Sequence, residues 1–363
     1  MRLLTLLLAV ICNALLVSTT SGQANSDRER DGVVGPVQSV LLELVELSTG
    51  SGKEVEIKRR PHQLIRYNER GSEVERVNFN EDGSISDKSV RLYDSAGKQI
   101  GWKEYQGLDA NPGRSSTWDY DANGNLAEVR VQYQGLLELR TVYTYDNHGR
   151  KVEESRFEDG GAFRDRNVYA YNAAGQLVET TYHHNEILNG KVLRKYNETG
   201  SLVKETQFNV LHPESTAEYV YDSSGREIEK RVDTEILWSK VQTSYDRNGR
   251  VAMRETSMGY KRANVFVTHA PEPGQVVFRY DDRGKVTEEV SYSPDRVIIS
   301  KTVSTYNRAG SLIEQVYSRR DNNGGKVSFE YDTTGNWVKA TKSSTNRTNM
   351  QTVHVEYRTI GYY

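Results

Sequence analysis

Apolar and polar residues alternate with a period of two along most of this chain, in short runs cut by turns. TVYTYDNHGRKVEESRF (141–157) and NVYAYNAAGQLVETTYH (167–183) show the pattern. Positions i and i+2 of a strand share a face, so each run predicts strand, tight turn, strand, and no stretch shows helical spacing. The turn has a recurrent sequence: Tyr, then Asp or Asn, two loose positions, and Gly. Its copies after Tyr67 are Tyr93-Asp94 with Gly97, Tyr120-Asp121 with Gly124, Tyr145-Asp146 with Gly149, Tyr171-Asn172 with Gly175, and Tyr196-Asn197 with Gly200. They continue with Tyr221-Asp222 and Gly225, Tyr245-Asp246 and Gly249, Tyr280-Asp281 and Gly284, Tyr306-Asn307 and Gly310, and Tyr331-Asp332 and Gly335. Successive tyrosines lie 24 to 27 residues apart, except for one step of 35. A fixed period of this kind marks a repeat architecture, in which stacked units share one continuous sheet.

The Asp or Asn side chain can accept backbone N–H groups across the bend, and Gly supplies the positive φ that a hairpin loop with a bulge requires. Two residues before the tyrosine there is often a second large apolar group, at Trp118, Tyr143, Tyr169, Tyr219, Phe278 and Phe329. Paired rings therefore line one face of a long antiparallel meander. Such a sheet cannot lie flat, because strand twist accumulates. The expected fold is all-β: a spiralling meander of β-hairpin repeats with a period of about 25 residues, forming a ribbon or partial β-shell with its tyrosine face inward.

The segments divide accordingly. Residues 1–24, MRLLTLLLAVICNALLVSTTSGQA, read as a signal peptide cleaved near Gly22 or Ala24; a membrane anchor and lipid attachment at Cys12 are the rival readings. Residues 25–35 are polar and expected to be a disordered linker, 36–66 an N-terminal capping hairpin, 67–357 the repeat ribbon, and 358–363 a C-terminal tail.

Composition narrows the function. The chain is 36% hydrophobic and 27% charged, with 23 Tyr against 7 Phe, which suits half-exposed rings better than a thick core. Lys and Arg number 48 and Asp and Glu 50, interspersed, so nucleic acid is not expected as a partner. Cys12 is the single cysteine, and a mature chain starting after Ala24 has neither disulfides nor a catalytic thiol.

The motif YDxxGxL, as in YDANGNL (120–126), YNAAGQL (171–177) and YNRAGSL (306–312), resembles that of the YD-repeat family, also called RHS repeats. The likeness covers about Tyr67 to Tyr331. It implies a ribbon of β-hairpins that spirals into a hollow shell, an exported or cell-surface location, and, by what has been ascribed to such repeats, carbohydrate binding. Large members carry a core segment with an acidic autoproteolytic site and a C-terminal toxin. Neither is seen here, so the resemblance is to a small stand-alone exported member without a toxin domain.

No HExxH, GxSxG, P-loop or CxxC pattern is present, so no catalytic residue, metal or cofactor is expected. His183 and His184, neighbours on a strand, point to opposite faces and cannot easily share a metal with Glu186. The Tyr-Asp pair recurs too often to be a catalytic dyad. The candidate ligand-binding residues are Trp118, Tyr143, Tyr169 and Tyr219 on the aromatic face, with Tyr260 and His269 in the insertion that lengthens the 245–280 step. A shorter insertion lies at 107–118. The expected function is a non-catalytic secreted, periplasmic or cell-surface protein giving a binding or scaffold surface. The first partner is a surface glycan; another envelope protein is the second, through a protein–protein module or shell fragment related to RHS-type toxin systems. No stable membrane span is expected after signal cleavage. An outer-membrane barrel, suggested by the aromatic end at Tyr363, and an enzyme are the remaining readings; charge on both faces of strands such as KVEESRF speaks against the barrel.

Overall fold

A computed structural model describes residues 26–48, 55–210, 212–261, 274–320, 323–345 and 351–363. Strands β1 to β24 follow one another in chain order, from β1 (Val37–Ser48) and β2 (Val55–Tyr67) to β23 (Trp337–Thr345) and β24 (Gln351–Tyr362). Every strand pairs antiparallel with its neighbour in sequence, as expected of a hairpin meander. The ends then meet: β24 pairs with β1, from Val37 opposite Tyr362 to Leu44 opposite Glu356. The ribbon is therefore a closed β-barrel, which corrects the expected spiral or partial shell and leaves no free sheet edge.

The repeat explains the closure. At each of the eleven repeat tyrosines the register slips by one residue, from Arg66/Tyr67 to Glu330/Tyr331. A bulge adds local twist and bends its strand, and eleven identical ones at the same rim curl the sheet uniformly in one sense. The turns behave as their sequence requires. In the fourth copy, Asp146 N–H donates to Arg150 C=O at 2.9 Å, and Gly149 N–H to Asp146 C=O at 3.0 Å with Gly149 at φ +75°. The Asp146 carboxylate accepts the N–H groups of His148 and Arg150, both at 2.9 Å.

The N-terminal stretch is also ordered. Residues expected to be a disordered linker form a one-turn helix α1 (Asp27–Arg30), with a capping box between Ser26 and Glu29. Arg28 N–H donates to Gly71 C=O in the first repeat turn at 2.9 Å, Glu73 N–H to the Asp27 carboxylate at 2.8 Å, and Tyr67 Oη to Asp31 at 2.6 Å. A few residues further on, Asn336 of the last repeat turn brackets Val34, accepting its N–H at 2.7 Å and donating to its C=O at 2.8 Å. One short segment thus ties the first turn to the last, across the seam. The main apolar cluster sits beneath it: Val33, Val37, Val40 and Tyr67 are buried, with Ile65 and Ile360 against them. Residues 36–66, expected as a cap on an open stack, are half of this seam, and most of the expected tail lies in β24.

Side chains converge on the inside of a closed barrel and diverge on the outside. The tyrosine face is the more covered one. On β8 (Leu136–Tyr145), Thr141 is buried and Tyr143 and Tyr145 are half-buried, while Glu138 and Thr144 on the opposite face are exposed. The same holds on β20 (Ile298–Tyr306), with Ser304 buried and Val303 and Thr305 exposed. The tyrosine face therefore lines the interior.

Candidate functional site

Ten repeat tyrosines form a ladder around the inner wall. Each hydroxyl donates to a backbone carbonyl at the start of a strand in the preceding repeat, at 2.5 to 2.9 Å: Tyr93 to Glu73, Tyr145 to Leu126, Tyr221 to Leu202, Tyr331 to Leu312 and so on around the barrel. The eleventh, Tyr67, turns to Asp31 at the seam instead. Burial pushes the phenols of Tyr93, Tyr145 and Tyr221 up. The turn carboxylates of Asp121, Asp222 and Asp246 go the other way; the backbone N–H of Arg226, followed by its guanidinium, holds Asp222 below the usual carboxylate range. Hydroxyl and carboxylate of each Tyr-Asp pair are both engaged with backbone, which is an architectural arrangement.

The second rings at Trp118, Tyr143, Tyr169 and Tyr219 are placed on the same inner face. Trp118 Nε1 donates to the buried Ser116 hydroxyl at 2.6 Å. Tyr143 and Tyr169 share one cation: Lys151 Nζ lies 5.5 Å from the first ring and 4.8 Å from the second. Lys151 is paired with Glu154 at 2.8 Å, which also meets Arg156 at 2.6 Å. Tyr219 lies against Lys230 at 5.4 Å, and burial first, then Glu205, raises its phenol to about 12. The structure thus brings Tyr143 and Tyr169 together and spaces Trp118 and Tyr219 along the wall, where alternate strands repeat at roughly 10 Å. Tyr260 is set apart, half exposed at the end of its strand, and His269 lies outside the described residues.

Residues that the sequence did not single out adjoin these rings. At the end of the barrel away from the repeat turns, β9 (Lys151–Glu158), β10 (Phe163–Tyr171), β11 (Leu177–His184), β12 (Ile187–Tyr196) and β13 (Leu202–Asn209) carry a cleft of about 350 Å³. Arg156, Asp165, Asn167, Tyr182, Asn189 and Gln207 line it. Asp165 stands opposite His184 with Oδ1 at 2.8 Å from Nδ1, while His183 is opposite Arg166 on the other face, so the two histidines are separated as expected. Strand alternation marks these positions as inward, but only the register across five strands gathers them. A more open groove of about 670 Å³ lies on the outer wall, where Lys204 pairs with Glu218 at 3.0 Å and Arg231 with Asp233 at 3.3 Å. Its charges satisfy one another, and it offers no comparable set of amides. Among the described residues, no group of three His, Cys, Asp or Glu side chains could hold a metal ion.

Fold and lining together define a closed, hairpin-repeat β-barrel with a polar and aromatic interior. No family model and no curated protein matches the chain. Among solved structures it is similar to the TcdB2–TccC3 complex with Cdc42, at a TM-score of 0.36 and 11% identity, covering 86% of this chain and 20% of that one. TcdB2–TccC3 without its hypervariable C-terminal region gives 0.32 and 12%, over 83% and 19%. A porin-like protein from Bacteroides uniformis gives 0.26 and 9%, over 90% and 98%. The chain spans about a fifth of the TcdB2–TccC3 length. Similarity this low assigns neither family nor function, and the YD-repeat resemblance rests on the repeated motif itself.

Proposed function

We propose that this chain is an exported, non-catalytic binding barrel of the cell envelope or extracellular space, which takes saccharide on its inner face. The observation that carries the reading is the register that sets rings next to the cleft: Asn167 of its lining is two residues from Tyr169 on the same strand face and is separated from Tyr143 by Glu154, while Gln207, Tyr182 and Asp165 complete the cleft, which neither ring itself lines. Flat rings cover the C–H faces of a sugar, and amides and carboxylates set at fixed positions take its hydroxyls. The carboxylates nearest the rings are held in ion pairs: Glu154 with Lys151 and Arg156, and Glu205 with Arg194 at 2.8 Å. For Glu154, burial is outweighed by the Lys151 and Arg156 partners, which hold the carboxyl below its ordinary range, and this suits recognition better than proton transfer.

The outer wall supports a barrel that stands in water. Its strands carry charge in register: Glu128 meets Arg130 at 2.6 Å and Arg140 at 3.0 Å, and Glu288 meets Lys301 at 2.8 Å. A Lys or Arg facing lipid at the bilayer midplane costs about 2–4 kcal/mol each, so this wall does not suit a spanning barrel.

The test is binding of residues 25–363 to a panel of bacterial and host glycans, beside Asn167→Ala/Gln207→Ala and Trp118→Ala/Tyr143→Ala variants checked for fold by circular dichroism. Selective binding that the first pair abolishes supports the cleft. A folded wild type that binds no glycan ends the saccharide reading and turns the search to a protein partner.

A further inference from the structure

The most exposed large apolar side chains of the described residues gather at one rim; Val34, Val220 and Tyr363, at the other, are only about half exposed. All eleven repeat turns lie at the other, and their loose positions (Ser95-Ala96, Ala173-Ala174, Asp282-Arg283 and the rest) contain no large apolar residue. The opposite rim, where odd strands turn into even ones, is different. Ile57 is 61% exposed, Leu108 86%, Tyr133 56%, Leu136 73%, Ile187 72% and Val210 70%. They sit on five separate connections, and Ile298 on a sixth is 47% exposed.

Three of these tips, Leu136, Ile187 and Val210, are fixed by their turns or by backbone hydrogen bonds. Gln134 (φ +49°) with Gly135 (φ +82°), and Asn185 (+47°) with Glu186 (+65°), make two-residue turns in the left-handed region, which hold Leu136 and Ile187 beside the bend. Neighbouring connections are also braced through the backbone: Gln134 N–H donates to Gly113 C=O at 2.8 Å, Asn185 to Arg164 at 2.9 Å, and Val210 to Asn189 at 3.0 Å. A rim built this way keeps its apolar tips extended instead of folding them back.

We propose that this rim seats on a lipid surface, with its Leu, Ile, Val and Tyr tips entering the interface and the barrel standing clear of the bilayer. A protein partner would bury one contiguous apolar patch. Here the tips stand on different hairpins with charged residues between them, such as Glu138 beside Leu136 and Glu186 beside Ile187. A headgroup layer accepts that mixture, taking separated apolar anchors and the flanking charges at the same depth. Twenty-four strands at about 4.8 Å make a rim roughly 35–50 Å across, so anchors spaced around it resist tilting.

The experiment is flotation of residues 25–363 with vesicles of pure phosphatidylcholine and of phosphatidylcholine with phosphatidylglycerol. It is repeated for Leu108→Ser/Leu136→Ser/Ile187→Ser and for a control at the opposite rim, Ala96→Ser/Ala173→Ser/Ala309→Ser. The expected result is vesicle binding by wild type and control, weakened about tenfold or more in the Leu/Leu/Ile variant, whose sites are exposed and tolerate polar groups. A folded wild type that floats with neither vesicle overturns the proposal, as does binding that this variant leaves unchanged. Light scattering gives the remaining outcome: a dimer that the variant abolishes, without vesicle binding, assigns the rim to a second copy of the chain and overturns the lipid reading.

Discussion

Replacing Asn336 by Ala should open the barrel at its seam. Asn336 is 1% exposed, and its amide makes three hydrogen bonds: from Val34 N–H at 2.7 Å, to Val34 C=O at 2.8 Å, and to Tyr362 Oη at 2.9 Å. Tyr362 in turn donates to Asp332 at 2.6 Å. At about 0.5–1.5 kcal/mol per hydrogen bond, losing the three should cost about 2–4 kcal/mol. The repeat supplies its own control. Asn125 occupies the same position of the second YD turn after Tyr67, but its amide donates only to Asp121, at 3.0 Å, so Asn125→Ala should cost about 1 kcal/mol or less. Urea unfolding measures both costs, and hydrogen exchange locates the damage: the Val37–Leu44 and Glu356–Tyr362 amides should exchange faster in Asn336→Ala while mid-barrel strands hold. Equal costs for the two variants, or faster exchange spread evenly around the barrel, would refute the idea that one turn residue latches the ring.

Three further outcomes follow from the repeat. Tyr221→Phe removes a hydroxyl donating to Leu202 C=O at 2.8 Å and should cost about 0.5–1.5 kcal/mol in chemical unfolding. Similar losses at Tyr145 and Tyr306, each in a different repeat, should add. Gly175→Val, at φ +79°, should lower stability by about 1–2 kcal/mol more than Ala174→Val in the same exposed turn, and equal melting temperatures would contradict the positive-φ role. Burial holds the Glu227 carboxyl above its ordinary 4.5, so the folded state favours the protonated form and loses stability as pH rises through the interval above 4.5. Glu227→Gln should therefore melt higher than wild type at pH 7 and alike below pH 4.5, and a difference that persists in acid would count against this account.

The local features were legible in the sequence because their causes are local. Asp146 and Gly149 specify a turn through contacts within five residues, so the period, the strand pairing and the bend could be read without the fold. Period-two alternation likewise placed Trp118, Tyr143, Tyr169 and Tyr219 on one face. Residues 26–35 illustrate the opposite case: polar composition suggests disorder only while the partners are unseen, and here Asp27, Arg28 and Asp31 meet Glu73, Gly71 and Tyr67. The cleft at Asn167 and Gln207 was invisible because register across five strands assembles it. Closure itself rests on curvature summed over eleven bulges and on contacts such as Val34 with Asn336, 302 residues apart. The sequence by itself determined the hairpin unit, since a turn answers to its own residues; only the tertiary structure decided that the ribbon becomes a ring, since that depends on where accumulated twist brings its two ends.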